Sequence, residues 1–299
     1  MKALSESQLL IVGLARNCEE KIESEVQIIT AAFSTAKTVN WLVIESDSDD
    51  GTLMKLEKLS KKNEFEFITL GVLRNKYPKR TERIAKCRNH YLEEIRTNTK
   101  YRDIDYVIVV DLDGVNSKLT KTAVESCWRL TEKWDVCFAN QSEVYYDIWA
   151  LRHPVWCPND CWKTYKFLFN HGISKFEALQ KAVYSRMIKI KYNENPIEVN
   201  SAFGGLGVYK KNAILSSEYF GLDEKNEEFC EHVSLHTSLR EKGYRLYIVP
   251  SLINCGWNDH SQNSRFLAKI KTRLVSFIVG FVTLFLSKQK LKVILKKLK

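Results

Sequence analysis

Two aspartates, Asp111 and Asp113, stand two residues apart at the end of a short apolar run. The run, residues 107–110, is rich in β-branched side chains and too short for a helix, so it predicts a buried central strand of a parallel sheet. Side chains two apart on an extended chain point to the same side, so both carboxylates can face one point beyond the strand end, where open α/β sheets bind ligands. Hard oxygen ligands with room for water and phosphate suit Mg²⁺ or Mn²⁺, which would neutralise charge on a departing phosphate. The alternative is a polar Asp-Gly turn without a metal.

A second group of polar side chains precedes that strand. The segment 74–96 predicts a helix that begins near Thr81, and Arg83, Arg88 and Asn89 lie near its beginning and middle. We interpret these three as candidates for contacts to an anion or a ribose; the alternative is a basic helix face exposed to water. The side chains expected to face the core recur near helical spacing and are Ile84, Cys87, Tyr91, Leu92 and Ile95.

A glycine-rich stretch at residues 203–207 precedes a strand-like segment. Gly204, Gly205 and Gly207 allow close backbone approach or positive φ, so this loop could pack against an acceptor or a diphosphate-sugar. The alternative is a tight bulged turn. The spacing differs from GxGxxG and does not indicate a Rossmann dinucleotide site.

Glu231 and His232 lie in the first turn of a helix predicted over residues 229–243. A carboxylate in that place is stabilised by the helix dipole whether or not it has a catalytic role. His232 and His236 have the i, i+4 spacing of a zinc pair, but the HExxH pattern is absent, which argues against zinc.

Alternating strands and helices position these candidates. Strands are predicted over residues 9–15, 41–45, 65–70, 107–110, 134–139 and 244–249, the last ending at Pro250, and helices over about 17–35, 53–62, 81–96, 120–133 and 229–243, the first capped by Asn17. The first seventy residues therefore read as parallel βαβ units with right-handed crossovers. We predict an α/β fold with a mostly parallel central sheet flanked by helices.

The net charge of +10 resides at the C-terminal end. After Asp259 the chain has ten Lys and Arg and no Asp or Glu, which leaves 36 of each sign in residues 1–259. A neutral body argues against nucleic acid as a partner. We predict two parts: a domain of residues 1–263 and a basic amphipathic tail of residues 264–299.

The apolar run in the tail, residues 274–286, is shorter than the roughly 20 residues that span a bilayer. Because basic residues flank it, we predict that the tail lies on an anionic membrane surface. The alternative is a helix packed on the body or on a partner subunit. The polar N-terminus is not a signal peptide, so the expected location is cytoplasmic, with peripheral attachment to the membrane.

The eight cysteines are scattered, which predicts reduced thiols. Cys157 and Cys161 could form a local disulfide or half of a zinc site, although no second ligand pair has matching spacing. The alternative is two structural cysteines in an aromatic loop. That loop, residues 140–162, interleaves flat rings with Asp147 and Arg152, which suits carbohydrate; an aromatic core beneath a long loop is the other interpretation.

Four motifs in this order resemble glycosyltransferases of the GT-A fold, over about residues 8–260. They are IESDSDDGT ending at Thr52, VVDLD ending at Asp113, FGGLG ending at Gly207, and CEHVSLHTSLREKGYRLYIVP beginning at Cys230. The first of these, the RIAKCRN helix and YYDIWALR together resemble more closely the capsule-associated α-1,3-mannosyltransferase-like group of fungi.

The resemblance implies roles at the strand ends. Glu45 and Ser46 would contact the base or ribose of a nucleotide, and Asp111 and Asp113 would hold ribose and metal. The glycine loop would lie near the donor sugar. The implied ligands are Mn²⁺ or Mg²⁺ and a nucleoside-diphosphate sugar.

The resemblance also implies a metal-binding histidine and a base. His260 would be the third metal ligand, since the family often has a His after the last core strand. His232 stands where many inverting members have an Asp that deprotonates the acceptor. His232 or Glu231 is therefore the candidate base, although a retaining enzyme requires none.

The expected function is metal-dependent transfer of a hexose from a nucleoside-diphosphate sugar to a glycan or glycolipid acceptor at a membrane face. A nucleotidyltransferase acting on sugar phosphates would share the sheet and carboxylates, but it usually has a basic glycine-rich loop where this chain has LARNCEEK. A non-catalytic, membrane-bound glycan-binding module is the third alternative, and it would need no Asp-x-Asp.

Overall fold

The computed structural model describes residues 2–261. Its strands are β1 (Gln8–Ala15), β2 (Thr38–Glu45), β3 (Phe65–Thr69), β4 (Tyr106–Asp111), β5 (Val136–Gln141), β6 (Ile197–Glu198), β7 (Leu206–Lys210) and β8 (Leu246–Cys255). Its α-helices are α1 (Ile22–Ala32), α2 (Thr52–Leu59), α3 (Arg80–Thr97), α4 (Lys121–Glu125), α5 (Cys161–Asn170), α6 (Lys175–Ala182), α7 (Lys211–Leu215) and α8 (Glu231–Glu241).

The strands form a single sheet in the order β3-β2-β1-β4-β7-β5-β8-β6. Strands β3, β2, β1 and β4 pair in parallel, as do β5 and β8. Strand β7 is antiparallel to both neighbours, β4 and β5, and β6 is antiparallel to β8. The predicted α/β fold with a mostly parallel sheet is confirmed.

Strand β4 lies in the middle of this sheet with apolar packing on both faces. Val107 and Val109 belong to one buried cluster, whereas Ile108 and Val110 belong to the cluster on the other face. This two-sided burial explains why the strand has an unbroken apolar run. It also holds the strand end, Asp111, in a rigid setting.

The prediction that Asn17 caps the first helix is wrong, because α1 begins at Ile22. Asn17 instead adopts a positive φ of 48°, which asparagine tolerates better than most residues. Its side-chain amide donates to Asp49 Oδ1 over 2.6 Å, and its Oδ1 accepts from the backbone of Asp49 over 2.9 Å. Asn17 therefore links the loop after β1 to the loop after β2.

Two other predicted boundaries also differ from the structure. The helix expected over residues 120–133 is reduced to α4 and a 3₁₀ turn at Ser126–Arg129. Strand β8 does not end at Pro250 but continues to Cys255. The pairing register with β5 shifts between Phe138 and Asn140, and Asn140 Nδ2 donates to Pro250 O over 2.9 Å. This irregularity accommodates a residue that cannot donate to a ladder.

The main compact unit ends at Gly256, and a second unit begins at Trp257. The structure describes residues 257–261 of that second unit, so the predicted tail of residues 264–299 lies outside the described residues. The predicted domain boundary at residue 263 and the tail's membrane attachment stay predictions. Within residues 2–261, no helix has the length and apolar character needed to cross a membrane.

All eight cysteines are buried free thiols, including Cys157 and Cys161. The aromatic loop between β5 and α5 is mostly folded inward: Tyr145 is fully buried and meets Trp156 edge-to-face, with ring centroids 5.3 Å apart. The indole of Trp149 donates to Asp160 over 3.1 Å. These contacts support the interpretation of an aromatic core with structural cysteines.

Candidate active site

The carboxyl end of β4 lies against the glycine loop. The backbone N–H of Asp111, the last residue of β4, donates to Gly205 O over 2.9 Å. The side chain of Asn116 donates to Asp111 O over 2.9 Å and to Glu25 Oε2 over 2.7 Å. These bonds fix the backbone from which the Asp111 carboxylate projects.

Arg88 joins the predicted metal segment to the predicted catalytic segment. Its side chain is only 4% exposed, with Nε 3.0 Å from Glu231 Oε1 and Nη2 3.6 Å from Asp111 Oδ1. The guanidinium also lies over the rings of Phe203 and Tyr219, at 5.4 and 5.6 Å from their centroids. The alternative of a water-exposed basic face is therefore wrong for Arg88, which is an interior cation held by two carboxylates.

Negative charge is concentrated around Asp111. Removal from water and the carboxylate of Asp113 raise the pKa of Asp111; Asp147 and Glu231 act in the same direction and Arg88 opposes them. Because 39% of the Asp111 side chain is exposed, we attribute more of this rise to the neighbouring carboxylates than to lost hydration. The strand end is thus an anionic site with one buried cation beside it.

Asp113 lies two residues further on, past the buried Leu112, and its side chain is exposed. Its backbone carbonyl accepts from Lys21 Nζ over 2.8 Å, and Gly114 turns the chain with a φ of 98°. The two aspartates therefore stand at the strand end, as predicted. Across the described residues no three His, Cys, Asp or Glu side chains are grouped so that they could hold a metal ion.

Two of the three glycines in the predicted donor loop have positive φ, 69° at Gly204 and 86° at Gly205, whereas Gly207 lies in β7. A Cβ on Gly205 would lie 2.6 Å from Val115 Cγ2. The Gly204 N–H donates to Asp147 Oδ2 over 3.0 Å, and its carbonyl accepts from Asn254 Nδ2 over 2.8 Å. Close packing alone thus accounts for these glycines, and their contact with a donor sugar stays a prediction.

The side chains of Glu45 and Ser46 stabilise the loop after β2. Glu45 is 1% exposed, and it accepts from the Ser48 N–H over 3.0 Å and from Thr69 Oγ1 over 2.5 Å. Ser46 Oγ lies 3.4 Å from Cys87 Sγ on α3. Their predicted contact with a nucleotide stays a prediction.

Two arginines converge on the same loop. Asp47, buried and with a φ of 61°, lies 3.7 Å from Arg83 Nε and 3.2 Å from Arg74 Nε. Asn89, by contrast, uses its amide on the backbone of Tyr219, donating to the carbonyl and accepting from the N–H, each over 2.8 Å. Arg83 is therefore placed at the loop after β2, whereas Asn89 links α3 to the segment that precedes α8.

Glu231 and His232 begin α8, and both are buried. The imidazole of His232 stacks on Phe203 at 3.8 Å between centroids, and neither ring nitrogen has a hydrogen-bond partner among the residues described. Its Nε2 lies 3.5 Å from Glu231 Oε1. Burial, followed by the charge of Arg88 and the nearby His236, lowers the pKa of His232 well below its usual value, so the ring is neutral at pH 7.

His236, one turn further along α8, belongs to a closed hydrogen-bond chain. Ser201 Oγ donates to Ala150 O over 2.6 Å, so it accepts from His236 Nδ1 over 2.9 Å. The other ring nitrogen, Nε2, accepts from the Tyr209 hydroxyl over 2.8 Å. This fixes the neutral tautomer with its proton on Nδ1, and burial lowers the pKa of His236 to about 3.

Several residues that shape the site were not among the sequence candidates. Glu25 is buried on α1, where burial raises its pKa against the opposing hydrogen bonds from Asn116. Gln141, at the end of β5, donates to Asn254 Oδ1 over 3.1 Å. The only sequence signal for Gln141 is its place as a polar residue at the end of an apolar strand, and Gln141 belongs to no motif. In the sequence, Asp147 is simply one polar member of the aromatic loop.

His260 lies in a turn of the second unit, and its side chain is exposed. Its role as third metal ligand stays a prediction.

No protein-family model and no curated protein matches this chain. Among solved structures, it is similar to the mannosyltransferase PcManGT from Pyrobaculum calidifontis in complex with GDP-Man and Mn²⁺, with 13% identity and a TM-score of 0.43 over 84% of this chain and 56% of that one. It is also similar to S. aureus TarS 1–349 in complex with UDP-GlcNAc, with 13% identity and a TM-score of 0.47 over 84% of this chain and 59% of that one.

A third similar structure is the glucosyl-3-phosphoglycerate synthase from Mycobacterium tuberculosis in complex with Mn²⁺, UDP and phosphoglyceric acid. Identity is 12% and the TM-score is 0.42, over 84% of this chain and 67% of that one. The chain thus spans less than two thirds of the length of the first two structures. Similarity at this level does not assign a function.

Proposed function

We propose that this chain is a metal-dependent glycosyltransferase of the GT-A type, which moves a hexose from a nucleoside-diphosphate sugar to a glycan or glycolipid acceptor. The observation that carries the proposal is the bridge formed by Arg88. One buried guanidinium lies 3.0 Å from Glu231 and 3.6 Å from Asp111, so the strand-end carboxylate and the first-turn acid of α8 face the same point. A fixed cation stabilises a negatively charged leaving group, and carboxylates at the same place can hold a metal ion that adds to this stabilisation.

The residues present fit Mg²⁺ or Mn²⁺. Asp111 and Asp113 supply hard oxygen ligands, and these ions accept one or two protein carboxylates when water and phosphate oxygens complete the shell. The neighbouring carboxylates that raise the pKa of Asp111 would stabilise a cation at this place. When bound, such an ion would neutralise the charge that develops on the departing diphosphate.

Of the two candidate bases at α8, we favour Glu231. The lowered pKa of His232 means that its protonated form is disfavoured, so it would accept a proton from a hydroxyl only weakly. Glu231 already lies beside a cation, Arg88, which fixes its orientation. We therefore assign acceptor activation to Glu231 and the packing of the site wall to His232.

We assign nucleotide binding to the loop after β2. Because Glu45 is 1% exposed and its carboxylate is occupied, the backbone of this loop would meet the nucleotide. The guanidinium of Arg83, which pairs with Asp47 and donates to two backbone carbonyls, would hold the loop in place beside it. Gly204 and Gly205 would border the donor sugar. The similarity to the fungal capsule-associated α-1,3-mannosyltransferase-like group and the attachment of the tail to an anionic membrane surface are also part of this proposal.

The test is thermal unfolding of the full-length protein with Mn²⁺ and a panel of UDP-, GDP- and CMP-sugars. A ligand that binds only the folded state stabilises it by RT ln(1 + [L]/Kd), about 2.7 kcal/mol at a hundredfold excess over Kd. We expect one nucleotide to raise the unfolding temperature, and Asp113→Asn to remove that rise because Asp113 is exposed and its loss does not disturb the core.

Asp103→Asn is the matched control, since Asp103 is an exposed aspartate just before β4. It should keep the full stabilisation by the nucleotide-sugar. If no donor stabilises the protein, or if Asp113→Asn responds to donor and Mn²⁺ as the control does, the metal site proposed here is wrong.

A further inference from the structure

Helices α5 and α6, together called the exposed hairpin below, bury very little of their own surface. Cys161 is the buried residue of α5, and Ala178 and Ala182 are those of α6. The large apolar side chains of the two helices point outward instead: Trp162 is 40% exposed, Phe167 61%, Phe169 50% and Phe176 63%. A helix pair with this pattern presents apolar surface to whatever lies outside the protein.

Exposed apolar side chains are concentrated in this part of the molecule. Of eleven exposed large hydrophobic residues in the described part of the chain, seven fall within residues 155–192. The rings on α5 contact each other: Tyr165 meets Trp162 at 5.9 Å and stacks on Phe169 at 6.0 Å between centroids. Contiguous apolar surface of this kind marks an interaction site on a folded protein.

The same segment is strongly basic. Residues 151–192 contain eight Lys and Arg but only two Asp and Glu, although residues 1–259 as a whole are neutral. On the exposed hairpin Lys163 pairs with Asp223 and Lys181 with Glu177, whereas Lys166 and Lys175 are exposed and form no ion pair among the described residues. Aromatic rings interspersed with lysines are the composition of surfaces that enter the headgroup region of a bilayer.

We propose that the exposed hairpin docks on an anionic lipid membrane. The chain's own C-terminal residues are the other possible occupant of this surface, and charge argues against them. They contain ten Lys and Arg and no acid after Asp259. Two basic surfaces repel each other, whereas each is attracted to an anionic leaflet. The aromatic side chains would enter the interface, and the exposed Lys166 and Lys175 would contact lipid headgroups.

The exposed hairpin is firmly joined to the candidate active site. Asp160 caps α5 by accepting from the backbone of Trp162 and Lys163, each over 2.9 Å, and it also pairs with Arg152 at 2.8 Å. Arg152 in turn bonds the backbone of Ser201, just before the glycine loop. Docking would therefore bring a membrane near the same segments that border the candidate active site.

The test uses an environment-sensitive fluorophore attached to an introduced cysteine in the full-length protein. All eight native cysteines are buried, so a maleimide dye such as NBD reacts with the introduced residue. Phe176→Cys places the dye on the exposed hairpin, and Met54→Cys on α2 is the matched control because both positions are 63% exposed. Vesicles of phosphatidylcholine, with or without phosphatidylserine, are then added.

We expect a several-fold rise and a blue shift of NBD emission at position 176 with phosphatidylserine vesicles, reduced by high salt, and little change at position 54. Phe167→Ser should weaken vesicle partitioning about tenfold, whereas Met54→Ser, at a similarly exposed apolar position on α2, should not.

Co-sedimentation with vesicles without a response at position 176 would overturn the proposal, because another part of the chain would then hold the membrane. Absence of vesicle binding would also overturn it, as would a response at position 176 to an acidic protein but not to phosphatidylserine. Stabilisation by nucleotide-sugars tests the candidate active site in a separate measurement. The membrane proposal and the proposed function can therefore fail independently of each other.

Discussion

Replacing Arg88 with methionine tests the centre of the candidate site. The variant keeps a side chain of similar length but leaves Glu231, which is 6% exposed, and Asp111 without their shared cation. Removing one partner of a buried ion pair costs roughly 3–5 kcal/mol, and we take the lower end because Asp111 is 39% exposed and partly hydrated. We expect Arg88→Met to lower the free energy of unfolding by about 3 kcal/mol at pH 7.

The pH dependence of this loss separates electrostatics from packing. Buried carboxylates that have lost their cation bind protons at a higher pH than carboxylates in water. At low pH these carboxyl groups are neutral and do not destabilise the folded variant, whereas at higher pH their buried charges do. The difference between Arg88→Met and the natural chain should therefore shrink from about 3 kcal/mol at pH 7 to about 1 kcal/mol near pH 4.5.

The assay is urea unfolding of both proteins at each pH. Arg80→Met is the control: Arg80 is exposed at the first turn of the same helix, and its loss should change stability by no more than about 0.5 kcal/mol. A loss below about 1 kcal/mol for Arg88→Met, or one that is equal at both pH values, would refute the interpretation of Arg88 as a buried bridge between carboxylates.

Two further predictions concern the scaffold of the site. His236 is neutral in the folded protein, with a pKa lowered to about 3, so its contribution to the free energy of unfolding is present above pH 6.5 and is lost as the pH falls. We expect this residue to make the protein about 2 kcal/mol less stable at pH 5 than at pH 7. Urea unfolding should therefore show a flatter pH profile for His236→Gln than for the natural chain. Gly205→Ala should cost about 3 kcal/mol, because the residue has positive φ and its Cβ would lie 2.6 Å from Val115, whereas Gly71→Ala, with positive φ but no neighbour within 4 Å, should cost only about 1 kcal/mol. Equal thermal shifts in the two glycine variants would contradict the packing argument for the glycine loop.

The fold was largely predictable because the sequence patterns of its parallel strands depend on residues that are neighbours along the chain. The apolar run of β4 and the alternation of strands and helices up to residue 70 each depend on neighbouring residues, and the structure confirms the mostly parallel sheet. The boundaries that failed depended on distant partners. Pro250 can lie inside β8 only because β5 shifts register opposite it, and Asn17 is free to leave the helix because Asp49 binds its side chain.

The candidate site was predictable by residue but not by arrangement. The spacing of Asp111 and Asp113 placed both at a strand end, and Arg88 was a candidate for an anion contact. That Arg88 would pair with Glu231 follows from α3 and α8 packing beside β4, and no local pattern encodes it. His232 was a candidate base because of its position along the chain, whereas its burial against Phe203 makes it a poor one.

The antiparallel strand in the middle of the sheet has a consequence for biosynthesis. Strand β4 ends at Asp111, but the neighbour that covers its second edge, β7, begins only at Leu206. At roughly 5–20 residues per second, the ribosome takes on the order of 5–20 s to make the intervening chain. Throughout that interval an apolar strand has an open edge, the kind of surface on which nascent chains aggregate. Completion of β7 closes this edge of β4, and the candidate site is completed later still, when α8 supplies Glu231.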